Sequence, residues 1–168
     1  MSRIINEQQA KMVIQGLKYN PLDRTYSDNE IFVTNDSIPS HSYKADRHVW
    51  DYVVTDSESE RKFVEELDGA DEVVVYAKLP DRFQIPTPFG GYNPDWAIAF
   101  NKDTIRQIYF VAETKGSMLE SDLREKEKFK IESAKKFFAR LNEENQSMGD
   151  NVQYSVIDSF GSLMKIIQ

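Results

Sequence analysis

The chain has 168 residues, 40% of them hydrophobic and 29% charged, which is typical of one folded domain rather than a disordered or fibrous protein. It contains no cysteine and two histidines, which excludes disulfides, thiolate zinc sites and a cysteine nucleophile. The residues left for chemistry are carboxylates, lysines and hydroxyls.

The formal charge is −7, with 28 acidic and 21 basic residues, which argues against a protein that holds nucleic acid by its overall charge. A local basic surface or a bound divalent cation can still reverse the field at one site. No stretch approaches the roughly 20 apolar residues of a membrane span, and the N-terminus lacks the apolar core of a secretory signal. We therefore expect a cytoplasmic protein without a membrane partner.

The beginning of the sequence predicts an extension, then a strand and a helix. Apolar residues at helical spacing end before Pro21, and EIFVT predicts a short strand. We assign residues 1–45 to an N-terminal extension packed on the core. HVWDYVVT then predicts a strand, and DSESERKFVEEL predicts a helix in which Ser57 and Glu60 have the spacing of a capping box.

The remainder predicts three strands, a helix and a last strand, within one domain over residues 46–168. DEVVVYAKLP is a strand candidate, and a loop rich in Pro and Gly leads into DWAIAF, which a polar turn joins to IYFVAETK as in an antiparallel hairpin. A long charged helix over about 121–142 follows, and VQYSVID predicts the closing strand. The buried stripe of that helix is Ile131, Ala134, Phe138 and Leu141. This order indicates a layered α/β or α+β domain.

Three polar residues stand on the central hairpin. Asp95 opens DWAIAF, and Glu113 and Lys115 end IYFVAETK. Because side chains alternate along a strand, Glu113 and Lys115 point to one face, and Asp95 shares a face with Ala97 and Ala99. If the two faces coincide, the small alanines leave room beside two carboxylates and one ammonium.

Two carboxylates that converge on one point repel each other unless they share a proton or bind a cation. A bound Mg²⁺ ion fits this site better than a shared proton, because Mg²⁺ takes oxygen ligands and typically uses one or two carboxylates with waters and phosphate oxygens. The Thr114 backbone carbonyl offers one more oxygen, and Lys115 is placed to orient an attacking water. This set predicts metal-assisted hydrolysis of a phosphodiester, and the alternative is a set of solvated side chains at strand ends.

The pairs Pro94-Asp95 and Glu113-Thr114-Lys115 resemble the PD-(D/E)XK signature of restriction-endonuclease-like nucleases. The surrounding sequence is more specific. DYVVTDSESERKFVEEL, YAKLPDRFQIPTPFGGYNPDWAIAF, YFVAETKGS and KFKIESAKKFF resemble, in this order, the C-terminal endonuclease domain of the restriction subunit of type III restriction-modification enzymes. The resemblance runs from about residue 48 to residue 158 and implies a restriction-endonuclease-like core with a mixed central sheet flanked by helices.

The resemblance also implies an enzyme that cuts double-stranded DNA with Mg²⁺, for which Mn²⁺ can substitute. Asp95 and Glu113, with the Thr114 carbonyl, would bind the metal, and Lys115 would support the nucleophilic water. In the family a helicase-like ATPase motor and a methyltransferase subunit are partners. The chain has no GxxxxGK(S/T) phosphate loop, so we expect ATP to bind only in a motor domain outside this chain. We also expect the chain to be either an excised domain of such an enzyme or a stand-alone relative.

Four further residues are secondary candidates. Glu60 is a candidate metal ligand, and its alternative role is the capping box. Lys126 and Lys130 are candidates for contact with DNA phosphates, and the alternative is a solvated helix face with interleaved glutamates. Tyr92 is a candidate for stacking on a base, whereas Trp96 is assigned to the core.

The rival function belongs to a different class. A nuclease-fold docking module would bind the motor or the methyltransferase subunit and have little chemistry of its own. The acidic composition and the lack of an obvious basic cleft favour it. Asp95, Glu113 and Lys115 disfavour it, because a structural domain does not need to hold like charges together.

Overall fold

The computed structural model describes residues 12–15, 18, 41–101, 109–114, 125–145 and 152–167, with the backbone alone for 109–114 and 145. The predicted strand EIFVT, residues 102–107 of the predicted polar turn NKDTIRQ, and Lys115 lie outside the described residues.

From residue 41 onward, six strands and three helices follow one another in the described part of the chain. In order they are β1 (Ser42–Lys44), β2 (Tyr52–Val54), α1 (Glu58–Gly69), β3 (Val73–Lys78), β4 (Trp96–Phe100), β5 (Tyr109–Thr114), α2 (Glu125–Asn145), β6 (Val152–Ile157) and α3 (Phe160–Ile167).

The central sheet has four strands in the order β3-β4-β5-β6. Strand β4 pairs antiparallel with both β3 and β5, whereas β5 and β6 are parallel. The antiparallel β4–β5 hairpin confirms the pairing predicted for DWAIAF and IYFVAETK. Because both orientations occur, the sheet is mixed, as expected. Strands β1 and β2 form a separate antiparallel hairpin.

Helices cover both faces of the central sheet. On one face, α1 and α3 enclose a core that includes Phe63, Leu67, Trp96 and Leu163. On the other face, α2 packs against β6 and the loop between β3 and β4, around a core that includes Phe138. The alternation along β4 explains this division, because Trp96, Ile98 and Phe100 are buried while the alanines between them are half-buried. The observed class is a mixed α/β domain.

Helix α1 begins where its sequence predicts. Ser57 is the N-cap, and its hydroxyl accepts a hydrogen bond from the Glu60 backbone N–H at 3.2 Å. Phe63, Val64 and Leu67 form its buried stripe. The Glu60 carboxylate accepts from the backbone N–H of Asp56, at 3.0 Å, and so completes the capping interaction one residue before the N-cap.

Helix α3 is an element that the sequence patterns did not predict. It has eight residues, of which Leu163 and Ile167 are buried against the α1 side of the sheet. Such a short apolar segment satisfies strand and helix templates equally well, so tertiary packing decides its conformation. The longer helix α2 buries Ile131, Ala134 and Phe138 as predicted, and Leu141 is half-buried in the same cluster.

The expected boundary at residue 45 lies inside the β1–β2 hairpin, whose strands pair across it. Farther upstream, Met12–Gln15 are helical, Ile14 is buried, and the Gln15 carbonyl accepts a hydrogen bond from Lys136 Nζ at 2.7 Å. The division into an extension and a domain stays a prediction. Among the described helices, none is long and apolar enough to cross a membrane.

Candidate active site

The register of the β4–β5 hairpin fixes the backbone positions of the two acidic residues predicted to form the site. Trp96 lies opposite Ala112 and Ala97 opposite Val111. The next pair in this register is Asp95 and Glu113. On the other side of β4 the ladder also continues to Asp95, whose carbonyl accepts a hydrogen bond from the Leu79 N–H at 2.7 Å. The backbone therefore brings the Asp95 and Glu113 positions together at the end of the two central strands.

The two positions also share a face of the sheet, because directly opposed residues of an antiparallel pair point to the same side. Ala97 and Ala99 lie opposite Val111 and Tyr109, so the faces predicted to coincide do coincide in register. This is the face toward α2, since Trp96 belongs to the opposite core. The side chain of Glu113 and all of Lys115 lie outside the described residues.

The loop that delivers the chain to Asp95 is held by several contacts. The Asn93 side-chain amide donates to the Pro80 and Phe83 carbonyls at 3.1 and 2.7 Å. Gly90 has a φ of 104°, a region that favours glycine, and its N–H donates to the Thr87 carbonyl. These bonds form a turn that ends at Gly90, within the loop that the sequence predicts before DWAIAF. They also fix the path of the backbone into Asp95.

Lys130 helps to hold this loop in place. Its Nζ donates to the Gly91 carbonyl at 2.7 Å, which ties α2 to the loop before Asp95. The preceding residue, Phe129, stacks on Phe89 with ring centroids 5.1 Å apart. Lys126 is exposed on the same helix. The two lysines predicted to contact DNA thus stand in different surroundings, and their contact with DNA stays a prediction.

Tyr92 lies in the core between the sheet and α2 rather than on the surface. It is 7% exposed, and its hydroxyl is hydrogen bonded to that of Tyr154. Stacking on a base needs an accessible ring face, so this position favours a packing role. Trp96 is fully buried, at 0% exposure, as assigned from the sequence.

Glu60 is engaged by a lysine that sequence reasoning did not single out. Lys78 Nζ donates to Glu60 Oε2 at 3.0 Å, to Asp56 Oδ2 at 2.6 Å and to the Val54 carbonyl at 3.1 Å. It also lies over the Trp96 ring, 5.9 Å from the centroid. We call Lys78, Asp56, Glu60 and the Val54 carbonyl the lysine cluster.

The Lys78 ammonium is charged in these surroundings. Burial lowers its pKa, but the hydrogen bonds that Lys78 donates to Asp56 and Glu60 outweigh that effect, and the pKa of Lys78 lies above its usual value. The side chains of Lys78 and Glu60 are 25% and 20% exposed, whereas Asp56 is largely solvated. The pair of Lys78 and Glu60 is therefore the partly desolvated part of the cluster.

His48 fixes the backbone beneath this cluster. Its Nε2 accepts from the Lys78 backbone N–H at 3.1 Å, and its Nδ1 lies 3.1 Å from both the backbone N–H and the carbonyl of Trp50. Burial lowers the pKa of His48, because the charged ring would be desolvated. The ring also packs edge-on against Tyr76, at 5.2 Å between centroids.

Asp68, at the C-terminal end of α1, binds the backbone of the segment that leads to His48. Its carboxylate accepts from the backbone N–H groups of Asp46 and Arg47 and from the Tyr76 hydroxyl, at 2.8 to 3.2 Å. Burial, followed by the charge of Asp68, raises the pKa of Tyr76. Arg47 in turn donates to the Ala70 and Val73 carbonyls. This network holds residues 46–49 along the edge of β3.

A divalent metal would suit the Asp95 and Glu113 positions chemically. Two carboxylate residues opposite each other, next to small alanines, offer the oxygen donors that Mg²⁺ prefers. Within the side chains that the structure describes, no group of three or more acidic or histidine residues is arranged to hold a metal. The Glu113 side chain is outside this described set, so the fit rests on the register and the donor chemistry.

These features define a mixed α/β domain with a pair of acidic positions at one end of its central strands. A family model described as an endonuclease domain matches residues 46–160, which is more than half of the chain. The chain belongs to this endonuclease-domain family. No curated protein and no solved structure matches it significantly. Family membership supports a nuclease function and agrees with the coarser part of the sequence resemblance.

Lys78 and His48 are the residues of the site region that sequence reasoning missed. Lys78 stands 18 residues after Glu60 on another element, so no local spacing connects them. One signal was present in the sequence. A lysine that ends a buried strand, YAKLP, must direct its charge either to solvent or to acidic residues, and the first turn of the preceding helix is acidic.

Proposed function

We propose that this domain hydrolyses phosphodiester bonds of double-stranded DNA with Mg²⁺ and that it is the nuclease part of a type III restriction enzyme. The observation that carries the proposal is the β4–β5 register, in which Asp95 and Glu113 are the next opposed pair. Family membership supports the nuclease chemistry, and the resemblance of the YNPDW and ETKGS segments supports the type III assignment.

Each residue has a separate role in this proposal. Asp95 and Glu113 hold the metal, with the Thr114 carbonyl as an additional oxygen donor. Lys115, two positions after Glu113 on the same strand face, orients the attacking water. Bound Mg²⁺ supplies charge neutralisation at the phosphate and lowers the pKa of a coordinated water. Lys130 keeps the loop before Asp95 in place through the Gly91 carbonyl.

The proposed partners supply what this chain lacks. In the complete enzyme a helicase-like motor would use ATP, and a methyltransferase subunit would read the DNA sequence. The net charge of −7 agrees with a domain whose hold on DNA comes largely from such partners.

Metal-dependent stabilisation tests the proposal without requiring the motor. Mn²⁺ or Mg²⁺ should raise the melting temperature of the wild-type chain, because a ligand that binds only the folded state stabilises it. Asp95→Asn should remove this rise, and Lys135→Met, at a surface pair with Glu132, should retain it. Plasmid nicking with the same proteins would then test cleavage. An equal rise in melting temperature in wild type and Asp95→Asn would contradict the proposed metal site.

A docking role is the second candidate function, and one observation favours it. Trp50, Tyr52 and Val54 are each 38 to 44% exposed, next to one another on and before β2. Exposed aromatic residues at this spacing are typical of a surface that another protein covers. A docking module would show no metal-dependent rise in melting temperature, so the same measurement separates the two functions.

A further inference from the structure

The lysine cluster has the coordination pattern of a bound cation. An ammonium group has three N–H donors, and Lys78 directs all three to oxygen atoms, of which two belong to carboxylates. The distances are 2.6 Å to Asp56, 3.0 Å to Glu60 and 3.1 Å to the Val54 carbonyl. The Trp96 ring below supplies a further favourable contact for a positive charge.

The same oxygen donors are those that a hard divalent cation would take. A metal ion bound to Glu60 would stand within a few ångströms of the ammonium, and the two positive charges would repel each other in a partly desolvated site. Three oxygen acceptors and the Trp96 ring hold the Lys78 ammonium in this position. Occupation of Glu60 by Lys78 therefore disfavours occupation by a metal.

The lysine cluster also lies on the other face of the sheet from the proposed metal site. Lys78 is opposite Trp96 in the β3–β4 register, and its Nζ reaches α1, which covers the Trp96 face. Asp95 precedes Trp96 and so belongs to the face toward α2. The lysine cluster and the backbone positions of Asp95 and Glu113 therefore lie at the same end of the sheet.

We propose that the Lys78 ammonium is an internal cation that takes the place of a second metal ion, so that the domain binds one divalent ion and Glu60 is not a ligand of it. This inference rests on the proposed function for the identity of the one ion. Removal of the ammonium should create a second site made of Asp56, Glu60 and the Val54 carbonyl.

Counting bound Mn²⁺ by electron paramagnetic resonance tests the inference directly. In titrations up to several millimolar, the wild-type chain should bind one Mn²⁺ and Lys78→Met one more, since methionine keeps the apolar stem over Trp96 without the charge. Adding Glu60→Gln to Lys78→Met should remove the additional ion. Lys135→Met, which removes a lysine from the Glu132 pair on α2, is the matched control and should bind as many ions as wild type.

Glu60→Gln alone supplies a second, independent measurement if Lys78→Met folds poorly. Because Glu60 is not a ligand in this account, the variant should bind Mn²⁺ with a dissociation constant within about twofold of wild type. Two ions in wild type, no additional ion in folded Lys78→Met, or a tenfold loss of affinity in Glu60→Gln would overturn the inference. If wild type binds no Mn²⁺, the proposed function fails, but one additional ion in Lys78→Met would still support the internal cation.

Discussion

Two groups of acidic residues at the same end of the sheet differ in which charged residues lie next to them. On the α1 face, Glu60 and Asp56 are bridged by the Lys78 ammonium, within the chain itself. On the α2 face, the register opposes Asp95 and Glu113, two residues of like charge. Strand β4 separates the groups, with Trp96 facing the first and the alanines facing the second.

The difference shows how neighbouring groups determine what an acidic residue does in this fold. The Glu60 carboxylate has a structural role, since it accepts from the Asp56 N–H at the start of α1 and links α1 to Lys78 of β3. Opposed carboxylates on adjacent strands are costly unless a cation or a proton joins them. Acidic residues at the same end of the sheet can therefore differ in role because their neighbours differ.

The largest expected effect comes from removing the acidic pair itself. Asp95→Ala should abolish both Mn²⁺ binding and cleavage, with a loss in cleavage rate of at least about 100-fold, because the metal provides the main electrostatic stabilisation of the phosphate. Lys115→Ala should reduce cleavage similarly and leave Mn²⁺ affinity nearly unchanged. Calorimetric Mn²⁺ titration and plasmid nicking measure the two quantities. An equal loss of metal affinity in both variants would show that these roles are not separate.

Trp96→Ala tests the packing of β4 between the lysine cluster and the Asp95 and Glu113 positions. The residue is fully buried and its ring lies 5.6 Å from that of Phe63 and 6.4 Å from that of Tyr76, so the cavity should lower the free energy of unfolding by about 3 to 5 kcal/mol. Urea denaturation measures the loss. Trp50→Ala is the control, because Trp50 is 44% exposed and should change stability far less. Comparable losses at the two positions would contradict the assignment of Trp96 to the core.

Lys130 and Lys126 form a matched pair on α2. Lys130→Met should cost about 1 kcal/mol of stability through the lost bond to the Gly91 carbonyl, and should weaken metal binding by loosening the loop before Asp95. Lys126→Met should leave stability unchanged. If Lys126 contacts DNA, its loss should reduce the salt dependence of DNA affinity by about one phosphate contact. Equal stabilities of the two variants would refute the support role of Lys130.

The smallest expected effect is a pH dependence from His48. Its pKa is lowered on folding, mainly by burial, while the charge of Asp68 opposes the shift. The unfolded chain therefore binds the proton more readily, so stability is fully present above a pH of about 6.5 and falls as the pH decreases below that value. Urea denaturation between pH 5.5 and 7.5 should show this fall. His48→Gln should flatten it, and an unchanged slope in that variant would exclude His48 as its source.

Much of the fold was predictable because local patterns and tertiary structure agree. Helix α1, strands β3 to β5 and the closing strand β6 all lie where alternation, helical spacing and capping residues predict them. The sequence also predicts that Asp95 and Glu113 share a face of the sheet if their strands pair in the matching register. Strand alternation assigns every residue to a face once that register is known.

The remainder depends on contacts that sequence spacing does not encode. The link between Lys78 and Glu60 joins the end of a strand to the first turn of a helix. Tyr92 looks like an exposed loop residue in the sequence, but α2 and β6 bury it. Helix α3 is too short for a periodicity argument and gains its place by packing Leu163 and Ile167 against the core.

Anomalous diffraction from crystals soaked in Mn²⁺ tests the central claim most directly. The account predicts one peak, between the Asp95 and Glu113 carboxylates and the Thr114 carbonyl, at about 2.0 to 2.3 Å from these oxygens. The lysine cluster should show no peak. No peak at saturating Mn²⁺, with the two carboxylates directed apart, would contradict the metal site and favour the docking module.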